Sequence, residues 1–147
     1  MQKTGNMNLF FEAREEKKIK KLKVLIVEND EISAMLQAEI VKENCSDVLY
    51  AITGLEAVVA CRSKADIDLI LMDINMPEMN GLEATRQIRK FNTDIIIIAQ
   101  TAYALTGDRE KAIEAGCNDY IAKPYNQGMM KEIIKLHFNI TNSKLTT

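Results

Sequence analysis

Tryptophan is absent and histidine occurs once, at His137, so no site built on two imidazoles can form. The three cysteines, Cys45, Cys61 and Cys117, stand too far apart for a CxxC pair, which removes structural zinc and thiol–disulfide chemistry. Their odd number and scattered placing fit a reducing compartment, and hence the cytoplasm, better than a disulfide framework. No sign of charge dominates. The 19 Lys plus Arg face 21 Asp plus Glu, a net charge of -2 with signs interspersed, so no basic footprint and no nucleic-acid partner is expected. Long apolar runs are also missing: the start, MQKTGNMNLFFEAREEKK, has only LFF before its charged block, and no later run is longer than residues 95–99. Neither a secretory signal nor membrane contact by this segment is expected.

What is present is enough for one globular domain: 147 residues, 47% hydrophobic and 27% charged. Residues 12–23, EAREEKKIKKLK, put acids ahead of bases, so Glu15 can meet Lys18 and Glu16 can meet Lys20 on a helix surface. This predicts a charged helical linker over 1–22, then a domain over 23–139 and a polar tail over 140–147. Inside the domain, short apolar runs predict strands at 23–27, 47–51, 68–72, 94–100 and 119–122. Segments of helical period predict helices at 31–43, 54–63, 81–90, 105–115 and 127–138. Ile32, Met35, Leu36 and Ile40 form the stripe expected to face the sheet from the first helix. Met130, Ile133, Ile134 and His137 do the same from the last. The fourth helix is poor in large apolar residues, with Leu105 and Ile113 as its expected anchors. Strands such as VLIV, LILM and IIII are apolar without alternation, as in a parallel sheet covered on both faces. The fold class is therefore α/β, a doubly wound five-stranded parallel sheet flanked by five helices.

In such a sheet the working site lies outside the carboxyl ends of the strands. Those ends carry Glu28-Asn29-Asp30, Asp73, Thr101-Ala102 and Lys123-Pro124. Clustered carboxylates resist joint ionisation unless a cation intervenes, and a small cluster with open positions suits hydrated Mg²⁺. A cation, a lysine and a hydroxyl together can hold phosphoryl oxygens, and an aspartate can act as the nucleophile toward phosphorus.

The blocks VLIVEND, LILMDINMPEMNG, QTAYAL and DYIAKPYN, in this order, closely resemble the receiver domain of two-component response regulators, from about Lys23 to Phe138. The resemblance implies the flavodoxin-like strand order 2-1-3-4-5. It makes Asp73 the phosphoacceptor, and it puts Glu28 and Asn29 where receivers have their paired acids near Mg²⁺. Asn75 matches the position whose backbone carbonyl ligates that metal. It makes Thr101 the hydroxyl that turns toward the phosphoryl group, Ala102 its small neighbour, Lys123 the lysine that pairs with the acceptor, and Tyr120 the aromatic whose rotation tracks Thr101. A cis bond is implied between Lys123 and Pro124, as a turn that aims the lysine. The implied partners are a histidine kinase or histidine phosphotransfer domain, with the downstream partner open. The TAYAL-x-GDREKAIEAG block and the charged lead-in look most like receivers attached to hybrid sensor histidine kinases; a stand-alone regulator is the rival.

Asn29 departs from the pattern, standing where Asp is the common direct ligand. One unit charge against a divalent ion at ~4 Å and a dielectric near 20 is worth roughly 8 kcal/mol of gross Coulomb energy, and the net loss of affinity is much smaller. Asp30 either compensates or caps the first helix, and capping is favoured because Asp accepts an orphan N–H there. Three functions follow: a phosphoacceptor receiver that is not a free-standing enzyme; a pseudo-receiver that kept the fold as a binding module; and a small phosphatase, for which no separate general acid is in view.

Overall fold

The structure is a computed structural model that describes residues 21–103 and 105–138. All but the last two residues of the expected linker, and all of the expected tail, lie outside them. Five parallel strands, β1 (Leu22–Val27), β2 (Cys45–Ala51), β3 (Leu69–Asp73), β4 (Ile96–Thr101) and β5 (Asp119–Ala122), form one sheet in the order β2-β1-β3-β4-β5. Between and after them run α1 (Glu31–Val41), α2 (Gly54–Ser63), α3 (Gly81–Arg89), α4 (Asp108–Ala115) and α5 (Gln127–Phe138). The order reverses beside β1, which opens the crevice where a doubly wound sheet binds its ligands.

Alternate residues of each strand feed two cores. Leu25, Val27, Ile70, Met72, Ile97 and Ala99 pack against α2, α3 and α4, whereas Val24, Ile26, Leu69, Leu71 and Ile98 pack against α1 and α5. Both faces are dry, so the strands need no polar alternation. β3 and β4 each run one residue further than expected, so Asp73 and Thr101 belong to the ladder itself, opposite Gln100 and Ala122. β4 begins only at Ile96, because the Asn92 side chain accepts from the N–H groups of Asp94 and Ile95 and holds them in a turn.

Two helices correct the sequence reading. Ile32, Met35 and Leu36 of α1 face outward, 63 to 70% exposed, and of the expected stripe only Ile40 is buried. α1 meets the sheet through Ala34, Gln37, Ala38 and Val41, a second stripe of the same period. Its small residues let the helix approach closely, while its glutamine hides it from a reading by hydrophobicity. α4 starts at Asp108, not at 105: Leu105 is 69% exposed in a turn whose N–H is accepted by Asp108 Oδ2, and Ile113 is 44% exposed. Ala112 and Ala115 are the residues that α4 buries. Met129 of α5 is exposed as well. Among the described residues no helix is long and apolar enough to cross a membrane.

Candidate functional site

Glu28, directly after β1, keeps the ladder going by donating its N–H to the Ala51 carbonyl at 3.0 Å. That hydrogen bond sets its side chain beside Asp73 at the end of β3, and both are nearly buried. Lys123 follows β5, with its N–H on the Thr101 carbonyl at 2.7 Å, and its bond to Pro124 is cis. Its ammonium donates to Glu28 Oε1 at 2.7 Å and stands 3.9 Å from Asp73 Oδ2. The lysine thus bridges two carboxylates and lies nearer to Glu28. Asp73 Oδ1 accepts the Asn75 N–H at 2.9 Å. Burial pushes the Asp73 carboxyl up to about 6; the neighbouring Glu28 adds to the rise, and the Asn75 N–H and the Lys123 charge oppose it.

Thr101 is buried with its hydroxyl 2.9 Å from Asn75 Oδ1 and 3.1 Å from the Tyr103 carbonyl, one proton serving either acceptor. Ala102, exposed, gives its N–H to the same Asn75 Oδ1 at 3.0 Å. Asn75 is expected to act through its main-chain carbonyl, yet its side chain is what ties the end of β4 to the loop after Asp73. Tyr120 is half-buried, packed on the core that holds its ladder partner Ala99. Asn29 is exposed at the rim. Asp30 caps α1, its Oδ2 accepting the Ser33 N–H at 2.9 Å; the capping reading holds. His137 is half-buried, with Nε2 2.9 Å from Asp119 Oδ2 at the opposite end of β5.

Three residues that sequence reading passed over complete the site. Gln37 Nε2 donates to Glu28 Oε1 at 3.1 Å, Gln100 Nε2 donates to Gln37 Oε1 at 2.9 Å, and the Tyr125 hydroxyl donates to Gln100 Oε1 at 2.5 Å. The available signal was Gln100 itself: a polar side chain at the end of a strand buried on both faces must find a partner.

Two adjacent carboxylates share one ammonium, so the site holds surplus negative charge on hard oxygens, with amide oxygens beside them. That donor set fits Mg²⁺, which accepts one or two carboxylates and keeps water on its open positions. Among the described residues no three His, Cys, Asp or Glu side chains gather, in keeping with an amide at position 29.

Comparison with known proteins sets this geometry among relatives. The model of the response regulator receiver domain matches residues 24–135. Hybrid signal transduction histidine kinase G of Dictyostelium discoideum is 39% identical over 126 residues, 82% of this chain but only 4% of that kinase. The polar-differentiation response regulator DivK of Brucella anthropi is 37% identical over 114 residues, covering 76% of this chain and 92% of DivK. The receiver domain of Saccharomyces cerevisiae Ssk1, solved with the histidine phosphotransfer signalling protein Ypd1, superposes with a TM-score of 0.72 and 32% identity over 80% of this chain and 88% of that one. The receiver domain of sensor histidine kinase PA1611 from Pseudomonas aeruginosa PAO1, with a magnesium ion coordinated in its active site cleft, gives 0.71 and 32% over 81% and 98%.

Proposed function

The chain belongs to the response regulator receiver family, and on that premise we propose that it takes a phosphoryl group from a phosphohistidine onto Asp73, with Mg²⁺ in the site, as a step in two-component or phosphorelay signalling. The observation that carries this reading is the nearly buried Asp73 carboxylate at the end of β3, with Glu28 beside it and Lys123 Nζ at 3.9 Å. In the transfer an Asp73 oxygen bonds to phosphorus while the phosphorus–nitrogen bond of the donor breaks and the imidazole leaves with the electron pair. Glu28, Asn29, Asp73 and the Asn75 carbonyl would hold the cation, which when bound offsets charge on the phosphoryl oxygens. Lys123 moves from Glu28 toward the same oxygens, and the Thr101 hydroxyl leaves Asn75 to reach them, with Ala102 leaving room and Tyr120 following. The output is a shifted population of surface conformations, so the domain assists its own phosphorylation and hydrolysis without being a free-standing enzyme.

The donor in this reading is a histidine kinase or a histidine phosphotransfer domain, the class of protein with which the receiver domain of Ssk1 was co-crystallised. Exposed Ile32, Met35 and Leu36 of α1, which begins three residues after Glu28, offer an apolar seat for such a domain. The likeness to a segment of histidine kinase G supports a place within a hybrid sensor kinase, and the odd, scattered cysteines support a reducing compartment, the cytoplasm.

The test is intact-protein mass after incubation with acetyl phosphate, with and without Mg²⁺, beside Asp73→Asn. One phosphoryl adduct that needs both Mg²⁺ and Asp73 is the expected result. A second reading, a binding module that kept the fold, is favoured by Asn29, the neutral residue at the metal rim. The absence of an adduct, while a known receiver is modified in parallel, decides for it.

A further inference from the structure

Gln37 and Gln100 are 2% and 0% exposed, and they lie in the core shared by the sheet, α1 and α5. Gln100 follows Ile96 and Ile98 on the same face of β4. Two buried amides add little to stability there, since a pair of apolar side chains of like volume would do as well or better. Their order is what distinguishes them. The Tyr125 O–H, the Gln100 N–H and the Gln37 N–H each donate in the same direction, and the last donor ends on Glu28 Oε1. Chains aligned head to tail polarise one another. With Lys123 on the same oxygen and the Asp30 N–H 3.2 Å from Oε2, the carboxylate is fixed in plane and rotation. The chain's outer end, Tyr125, lines a groove of about 520 Å³ with Leu36, Ile40 and Lys123.

We propose that Tyr125, Gln100 and Gln37 are positioning residues, a hydrogen-bonded relay that orients the Glu28 carboxylate for a divalent cation and makes that orientation depend on the Tyr125 hydroxyl at the groove. The proposal rests on the reading of Glu28 as a cation ligand. Partners of carboxylate ligands commonly govern metal affinity in this way.

The test uses the 147-residue chain as wild type, Tyr125→Phe, the fully apolar Gln37→Leu/Gln100→Leu pair, and the triple combination. Three quantities are read: the Mg²⁺ dissociation constant by calorimetry, the thermal midpoint, and the Glu28 side-chain carboxylate ¹³C resonance in metal-free protein. The relay predicts Mg²⁺ binding about threefold weaker in Tyr125→Phe and about tenfold weaker in the pair. It also predicts no further loss when Tyr125→Phe is added to the pair, with midpoints close to wild type. The Glu28 resonance moves on Tyr125→Phe. Unchanged Mg²⁺ affinity with a lowered midpoint would mean that the residues only pack, and an equal Tyr125→Phe effect in the apolar background would mean that the hydroxyl acts by another route; either overturns the relay. If wild type takes up no Mg²⁺, the proposed function falls, and the Glu28 resonance decides the relay alone: a signal unmoved by Tyr125→Phe sinks it.

Discussion

Burial, with Glu28 alongside, leaves Asp73 reluctant to ionise, and the one ammonium of Lys123, shared between the two carboxylates, offsets this only in part. The Asp73 carboxyl lies near the usual value, about 3.8, in the unfolded chain and is raised to about 6 in the fold by burial first and Glu28 next. Below both values it is protonated in either state and contributes nothing. Between them the folded chain holds the extra proton, so stability falls as pH rises, and above 6 the full cost of a buried charge is present. Asp73→Asn is therefore expected to melt about 5 °C above wild type at pH 7.5 in chelator, with the gap closing as pH falls toward 4. Equal midpoints across that range would show that Asp73 carries no such burden. Asp73 and Thr101 at strand ends and Lys123 just after one were legible because β-rich runs are easily counted, and their roles came from the resemblance of the blocks around them. Gln37, Gln100 and Tyr125 were not, since their meaning lies in contacts between residues up to 63 positions apart.

Among elements, α1 and α4 show what periodicity leaves open. A 3.6-residue period marks a stripe without saying which stripe the sheet will take, and in α1 the interior face is the one with alanines and a glutamine. The outward face is then available to a partner. Met35→Asp should leave the unfolding free energy within about 0.5 kcal/mol, as surface changes do. It should slow transfer from a histidine phosphotransfer domain while leaving acetyl phosphate labelling unchanged; equal slowing of both would argue against a docking role. α4 buries only alanines, so Ile113→Ala should cost under about 1 kcal/mol, whereas Ile88→Ala, at a fully buried position of α3, should cost about 2–5 kcal/mol. Chemical denaturation of the two variants checks the contrast. A helix held this lightly is free to change place at small energetic cost.

At the scale of the molecule, helices on both faces were legible because strands that are apolar on both faces require them, whereas the order 2-1-3-4-5 came from the resemblance to receivers alone. The joints between layers were not legible, since they depend on backbone approach. The tightest is where α3 meets β3. A Cβ on Gly81 would lie 2.4 Å from the Asp73 carbonyl oxygen and 2.8 Å from Ile74 Cα, both main-chain atoms that cannot turn aside. Gly81→Ala is expected to destabilise by about 1–3 kcal/mol and to reduce the phosphoryl adduct, read by denaturation and intact mass on one preparation. A stable variant with a normal adduct would show that the joint can yield. On the opposite side of the same peptide, the Ile74 N–H is held by the Gln100 carbonyl at 2.9 Å. Asp73 thus stands on an anvil: its backbone is braced by α3 on one flank and β4 on the other, and the strand beneath it has no slack to absorb a recoil. A load applied at the Asp73 carboxylate travels outward through side chains, among them the Lys123 ammonium 3.9 Å away.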